Sequence, residues 1–506
     1  MSTPGEDPPP PEEREEPDRP EERPPGAAMP PGPVLDFYLF EKAKAFQQGG
    51  NFLQAEECYR QLLERDPRSL KALNNLGVLL EAQKRTIEAE SVYRRALEID
   101  PNSADVLYNL AHALHLDGRL HDAEQLYRRA MARDSMSFAA TFNLGQLLEH
   151  QQRLEDAEAC FRRASEIVPE STAAHICLGE TLYQLGRFEE SLAAFENGVA
   201  CDPAAGAGHF NVGKALDAVG RLEEAVSGYA RAVELGPDSA VARENVVRGL
   251  ERLGRRDDAI QALAEWLFHA PGDSIATHLL AAISGLEVPG RASDAYLRAT
   301  FDSFAADYDS TLERLSYRGP VLIAMALAQG CGEPRAALDI LDAGCGTGLC
   351  GPVLRPYARR LTGVDLSAGM LARAGRLGIY DELVERELVT WLSGRPGAFD
   401  IIASADTLSY FGALEPVLAA AAQALRPGGH LIFTVEHLAR GDDAEHRLEP
   451  TGRYSHAEPY LRRALEVSAL APRVVLRGVL RHESGQPVAG LVVLAERLPR
   501  PAGTPA

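Results

Sequence analysis

The chain has 506 residues, a formal net charge of −21, 45% hydrophobic residues and 25% charged residues. That length allows two or three domains with full cores, and the composition is that of a globular protein. No apolar run approaches the ~18 residues of a membrane span, no basic cluster suits nucleic acid, and the acidity disfavours anionic membranes. Seven cysteines without a Cys-x-x-Cys pair predict reduced thiols in a cytoplasm and no metal site. Residues 1–33 hold nine acids and three arginines among many prolines. They are expected to be a disordered tail, because they cannot bury enough apolar surface to offset the entropy of ordering. Their Pro-Pro-Pro run also suits a polyproline ligand. The acidic start predicts no secretory signal.

From 34 to 271 the sequence repeats every 34 residues. Proline marks the step at Pro67, Pro101, Pro169, Pro203, Pro237 and Pro271, with Ser135 in the vacant slot. An aromatic stands eight residues earlier at Tyr59, Tyr93, Tyr127, Phe161, Phe195 and Tyr229, with Leu263 last. Small residues precede these by four: Ala55, Ala89, Ala123, Ala157, Ser191, Ala225 and Ala259. A Leu-Gly pair recurs at Leu76-Gly77, Leu144-Gly145 and Leu178-Gly179. Small residues let paired helices approach, aromatics fill the gap, and proline stops the second helix. The pattern resembles seven tetratricopeptide repeats. The resemblance implies a superhelical solenoid with a concave groove that binds a protein or peptide. Asparagine stands before the Leu-Gly position at Asn75, Asn109, Asn143, Asn211 and Asn245, with Cys177 in the remaining slot. A side-chain amide donates to and accepts from any peptide backbone, and the row is similar to the asparagine ladder of O-linked N-acetylglucosamine transferase. The plainer reading is that asparagine is common at that position of such repeats.

Residues 272–293 read as a capping helix and linker with Pro289-Gly290. A helical lead-in follows, with Phe301, Phe304 and Tyr308 on one face. That face is either core packing or a lid, with Tyr308 offering a ring to a cation.

Leu338-Asp339-Ile340-Leu341-Asp342-Ala343-Gly344-Cys345-Gly346-Thr347-Gly348 predicts a buried strand, a glycine turn and then a helix. A ligand at the carboxyl end of that strand is expected. A dinucleotide site prefers Gly-x-Gly-x-x-Gly with a phosphate at the helix N-terminus. Here an acid precedes Gly344-x-Gly346-x-Gly348, which suits a cationic ligand; a turn without ligand is the bland alternative. Further strands are predicted over Leu361–Asp365, about Leu383–Leu388, Phe399–Ala405 and from the Arg426-Pro427-Gly428-Gly429 turn to Glu436. After Gly452-Arg453-Tyr454-Ser455-His456 come a helix to about 469 and strands near 474–482 and 490–496. In this order the motifs resemble class I S-adenosylmethionine-dependent methyltransferases, and the whole layout resembles predicted methyltransferases with N-terminal tetratricopeptide repeats.

The resemblance implies a multidomain chain: an all-α solenoid over 34–271, the cap and linker over 272–293, an α/β Rossmann-like domain over 294–498, and a disordered 499–506. The α/β domain is expected to have a seven-stranded sheet with one antiparallel strand. S-adenosyl-L-methionine is the implied cofactor, held by Asp342, Gly344, Gly346, Gly348, Asp365, Glu387 and Tyr308. Asp365 would accept both ribose hydroxyls, and Glu387 would face the adenine amino group. Asp406 would hold the ammonium or act as base; Tyr410, His437 and His456 are further acceptor-side candidates. No Asn/Asp-Pro-Pro-Tyr follows strand four, no glutamate pair suggests arginine methylation, and no cysteine cluster suggests a thiol acceptor. The acceptor and the oligomeric state stay open. Two other readings remain: an adaptor with a vestigial methyltransferase fold, and a small-molecule enzyme whose repeats only oligomerise it.

Overall fold

The structure, a computed structural model, describes residues 32–236, 239–305, 308–438, 444–483 and 485–499. Most of the proline-rich tail, Pro237, Ala306, Asp307 and the last seven residues lie outside that set. The chain divides into two compact units, 1–202 and 203–506.

Among its described residues the first unit consists of helices, beginning with Gly32–Gln48, whose first two residues fall in the stretch expected to be tail, and ending with Phe188–Cys201. Each repeat contributes one helix carrying the Leu-Gly position and one carrying the aromatic. A Cβ on Gly77 would stand 2.3 Å from the Tyr93 ring, and one on Gly179 would stand 2.5 Å from Phe195. The glycine is therefore the socket into which the next helix's aromatic fits, and Tyr93, Tyr127, Phe161 and Phe195 are fully buried. A second row also runs through the repeats. Arg85, Arg119, Arg153 and Arg187 each reach back to a glutamate of the preceding repeat: Glu56 at 2.7 Å, Glu90 at 2.9 Å, Glu124 at 2.9 Å and Glu158 at 3.8 Å. Burial raises the Glu56 pKa, but Arg85 and Arg60 outweigh it and hold the carboxyl below its usual range.

The asparagine row lies half-buried. Asn109 Nδ2 donates to Asn74 Oδ1 at 2.8 Å, and Asn143 Nδ2 donates to the Tyr108 hydroxyl at 3.0 Å. These amides thus link successive repeats. Asn245 Nδ2 instead donates to its own helix at Val241 O, 2.8 Å away.

The second unit opens with the helices Gly206–Ala218, Leu222–Leu235, Ala240–Arg252 and Arg256–His269. The next helix, Ser274–Ser284, caps them: Ala276, Leu279 and Ile283 pack with Val247, Leu250, Leu263 and Trp266. Helices Asp294–Phe304, Tyr308–Arg314 and Gly319–Gly330 lead into the sheet.

The strands are β1 (Leu338–Ala343), β2 (Ala358–Asp365), β3 (Glu382–Glu385), β4 (Phe399–Ser404), β5 (Leu425–His437), β6 (His446–Leu448), β7 (Tyr454–His456), β8 (Leu470–Glu483) and β9 (Gln486–Arg497). Seven of them run in the order β3-β2-β1-β4-β5-β9-β8, with β9 alone running against the other six. This is the α/β arrangement expected, with one addition. β6 and β7 form a short hairpin whose second strand pairs in parallel with the end of β5. Alternation along the strands divides the core. Leu341, Ile402, Phe433 and Val493 face the helices Glu415–Ala424 and Glu458–Val467. Ile340, Ile401, Ile432 and Leu494 pack with Leu322, Ile323 and Leu327 of Gly319–Gly330. Arg426, expected in a turn but placed at the start of β5, bridges Asp400 at 2.6 Å and Asp339 at 2.8 Å, tying β4 to β1 at the end of the sheet away from the glycine turn.

Candidate functional site

The chain runs outward from β1 to β2 and β3, then returns to β4 on the other side of β1. Crossovers therefore diverge at the β1/β4 gap, where open α/β sheets bind ligands beyond the carboxyl ends of their strands. A cleft with about 750 Å³ of empty space, open solvent included, is lined by residues that follow these strands. Gly344, Gly346, Asp365, Glu387, Asp406 and Tyr410 line it together with Phe301 and Tyr308 of the lead-in helices.

The three glycines of the turn all have positive φ, +72° at Gly344, +54° at Gly346 and +93° at Gly348. Their surroundings differ. A Cβ on Gly344 would stand 2.0 Å from Thr407 Oγ1, and one on Gly348 would stand 2.8 Å from Leu377 Cδ1. Around Gly346 the nearest atom is Tyr308 Cε1 at 4.0 Å, so a ligand can approach the backbone there. Gly348 is not among the lining residues. The helix expected directly after the turn is reduced to the single turn Gly351–Leu354. Proline at that helix's start and the bend through Leu349-Cys350 leave no long helix N-terminus aimed at the cleft. The phosphate cradle of a dinucleotide site needs one.

Asp342 is buried behind the cleft and accepts the Tyr380 hydroxyl at 2.6 Å. It too is not a lining residue. Burial pushes its carboxyl up to about 7, with Tyr380 opposing and Asp365 adding to the rise. Asp365 ends β2 with each oxygen on one backbone amide, Gly346 N at 2.9 Å and Ser367 N at 2.9 Å. Burial raises its pKa against those bonds. The Leu366 amide also acts on this carboxylate.

Glu387 stands two residues past the end of β3, which is shorter than the strand expected to reach Leu388. It caps the helix Leu388–Ser393, accepting from Val389 N at 2.9 Å and Thr390 N at 2.7 Å. Arg291 reaches the same carboxylate at 3.4 Å. Burial raises the Glu387 pKa, but Thr390, Val389 and Arg291 outweigh it.

Asp406 follows β4 with φ +62°, strained for a residue with a Cβ. Its amide donates to Thr434 Oγ1 at 2.9 Å, which holds the turn. Its carboxylate meets Arg481 at 3.3 Å and Arg453 at 3.8 Å. Arg481 is fully buried and also pairs with Glu436 and Glu483. Tyr410 faces the cleft, its hydroxyl accepting from Arg453 Nε at 3.1 Å.

His456 lies elsewhere. It does not line the cleft, is fully buried in β7, and donates from Nε2 to Phe411 O at 2.7 Å. His437 ends β5 in register with it, also outside the lining. Burial drives the His456 pKa down to about 4, against the pull of the Phe411 carbonyl. Its folded form refuses a proton that the unfolded chain takes up near 6.5, so this group's contribution to stability is lost as pH falls from 6.5 towards 4. Asp342 works in the opposite sense: its contribution is full near pH 4 and lost as pH rises towards 7. His456→Gln is expected to remove about 2 kcal/mol of destabilisation between pH 7 and pH 5, read by urea unfolding at the two pH values. An unchanged difference between them would refute this assignment.

Arg291 and Arg453 also line the cleft, and Arg298 ties the Leu366 carbonyl at 2.6 Å to Glu385 at 2.7 Å. None of the three carries a motif. The stretch read as a linker is part of the wall: Gly290 O accepts from Gly412 N at 2.9 Å, and Ala292 N donates to Tyr410 O at 2.8 Å.

Two family models match the chain. One, described as a methyltransferase domain, covers residues 341–433 and so spans the glycine turn, Asp365, Glu387 and Asp406. The other, described as a tetratricopeptide repeat, covers 40–104, 105–172 and 178–240. The chain carries a methyltransferase domain and tetratricopeptide repeats. Human methyltransferase-like protein 27 is 46% identical over 85 residues, 16% of this chain and 34% of that protein. A ubiquinone biosynthesis O-methyltransferase of Thiobacillus denitrificans is 31% identical over 106 residues, 20% of this chain and 45% of that enzyme. A malonyl-[acyl-carrier protein] O-methyltransferase of Pectobacterium atrosepticum is 31% identical over 165 residues, 32% of this chain and 62% of that enzyme. The chain thus spans between about a third and somewhat under two thirds of these relatives. Among the described residues no helix of the methyltransferase or repeat regions is long and apolar enough to cross a membrane.

Proposed function

We propose that the methyltransferase domain binds S-adenosyl-L-methionine and transfers its methyl group to an acceptor that enters beside Tyr410. The observation that carries this reading is Asp365. It closes β2 beside a glycine turn that has no long helix N-terminus behind it. A two-oxygen acceptor at this place fits a ribose diol, and the acids around the turn fit a cationic donor and would repel phosphate. Gly346 is open on the side where a ligand would lie, and Tyr308 offers an aromatic face near it.

When bound, the donor would supply an electrophilic methyl on a positively charged sulfur. The residues of the chain would orient it. Asp365 holds the ribose, Gly344 and Gly346 let the backbone lie against the ligand, and Asp406 meets the ammonium. Asp342 and Gly348 act from behind the cleft, the first through Tyr380 and the second by giving room to Leu377. Glu387 offers only what its two capping bonds and Arg291 leave free. Phe301 and Tyr308 cover the cleft and exclude water, which favours in-line alignment of the acceptor.

In this reading the repeats of the first unit recruit a protein or peptide partner along Asn75, Asn109 and Asn143. The amides of Asn109 and Asn143 each spend one donor on the preceding repeat and retain a second N–H and an acceptor oxygen. Asn109→Ala combined with Asn143→Ala is expected to lose partners captured by the immobilised wild-type chain, and to cost about 1 kcal/mol of stability per amide. Capture at wild-type level by a variant that unfolds at its own lower urea midpoint would refute the peptide role.

The enzyme reading is tested by transfer of a labelled methyl group from S-adenosyl-L-methionine to cell extract. Labelling by wild type and none by Asp365→Ala is the expected result. Binding of the donor without any labelled product would favour a non-catalytic adaptor.

A further inference from the structure

The β6–β7 hairpin has no counterpart in the seven-stranded order, yet it carries a cleft residue. Its turn closes with Gly452 N on Glu449 O and Glu449 N on Arg453 O, both at 2.8 Å. The hairpin rests on the helix that caps the last repeat. Leu448 and Tyr454 pack against Ala281 and Ala282, and the Tyr454 hydroxyl donates to Pro289 O at 2.6 Å. His278 of the same helix is buried, stacks on Tyr296 at 4.0 Å, and donates from Nε2 to Gly452 O at 2.9 Å. Gly452 has φ +84°, and a Cβ there would stand 2.6 Å from the Tyr296 hydroxyl. The turn is therefore gripped on its carbonyl and on its α-carbon, one residue before Arg453.

Arg453 enters the cleft beside Asp406. Its Nε is taken by Tyr410 and its Nη1 by Glu483 at 3.1 Å, whereas Nη2 meets Asp406 only at 3.8 Å. The guanidinium thus keeps N–H donors for an anion. β3 and β4 lie three strand spacings apart across the sheet, about 14 Å, so Arg453 and Asp406 stand well away from Glu387 beyond β3. A ligand whose ribose lies on Asp365 would extend its amino-acid end to them. That end is a zwitterion, and a neighbouring cation and anion complement its two charges.

We propose that Arg453 binds the carboxylate of the methyl donor's amino-acid end, opposite Asp406 on the ammonium, and that His278 positions Arg453 through the Gly452 carbonyl. The inference rests on the donor reading above and makes the last repeat's cap a working part of the site. Arg453 is a binding residue. His278, which reaches no ligand, is a positioning residue.

Calorimetry on the full chain tests this with S-adenosyl-L-methionine and with adenosine, which lacks the amino-acid end. Arg453→Met and Arg453→Lys are expected to weaken the donor by about 10- to 100-fold, the loss of one charged hydrogen-bonded contact, while adenosine binds as it does to wild type. His278→Ala is expected to weaken the donor by about 10-fold and adenosine not at all. His278→Gln, whose amide can make the same bond to Gly452 O, is expected to recover most of the loss. Donor affinity unchanged in Arg453→Lys or His278→Ala would overturn the proposal. So would an equal loss of donor and adenosine, since that reports a collapsed site. A wild-type chain that does not bind the donor would overturn the function proposed above instead.

Discussion

Asp365→Ala is expected to weaken S-adenosyl-L-methionine by two to three orders of magnitude. Its carboxylate would accept two ribose hydroxyls, and a hydrogen bond to a charged acceptor contributes about 1.5–3 kcal/mol. The same carboxylate fixes Gly346 N and Ser367 N, so the glycine turn loosens as well. Asp365→Asn keeps one acceptor oxygen and is expected to lose only about 10- to 30-fold. The graded order, wild type over asparagine over alanine, separates loss of a ligand contact from loss of the fold. Calorimetric affinities for the two variants within threefold of wild type would remove Asp365 from the site.

Arg481→Met is expected to have the largest effect on stability, about 3–5 kcal/mol, the usual cost of breaking a buried ion pair from one side. Arg481 is fully buried among Asp406, Glu436 and Glu483. Burial raises the Glu436 pKa, with Arg481 and Arg453 opposing it. Without Arg481 the two most buried acids, Asp406 and Glu436, would share Arg453 alone. Urea unfolding followed by circular dichroism reads the loss. A midpoint shift corresponding to less than about 1 kcal/mol would mean that the cluster relaxes to water when Arg481 is removed.

The parts of the site legible in the sequence are those set by local backbone demands. Gly344 and Gly346 need positive φ, and a carboxylate at the end of a strand is visible as a carboxylate at the end of an apolar run. The repeats were legible for a related reason, since Gly77 and Tyr93 recur at fixed spacing because one fills the other's gap in every unit. What escaped depends on distant pairing. Arg453 reaches the cleft only because a hairpin from beyond β5 rests on a helix some 170 residues earlier in the chain, joined by the bond between His278 and Gly452. Arg291 lies in a stretch whose Pro289-Gly290 pair signals a break and a linker. In the fold those residues run along Phe411 and Gly412. His456 points in the other direction: its residue type suggests acid–base chemistry, but burial outweighs the Phe411 carbonyl and makes it a neutral part of the core. Asp342 marks the motif and yet stands behind the cleft, where Tyr380 takes its carboxylate. The Arg85–Glu56 series is periodic in the sequence, but its partners lie 29 residues apart, across a repeat boundary, so no local pattern marks the pairing.

The central claim is that the β1/β4 cleft accepts a sulfonium nucleoside and no dinucleotide. Titration calorimetry of the full chain with S-adenosyl-L-methionine and, separately, with NAD tests it most directly. One donor molecule bound per chain, with no heat from NAD beyond dilution, is the predicted result. NAD binding that is lost in Asp365→Ala, or no binding of the methyl donor by the wild-type chain, would contradict it.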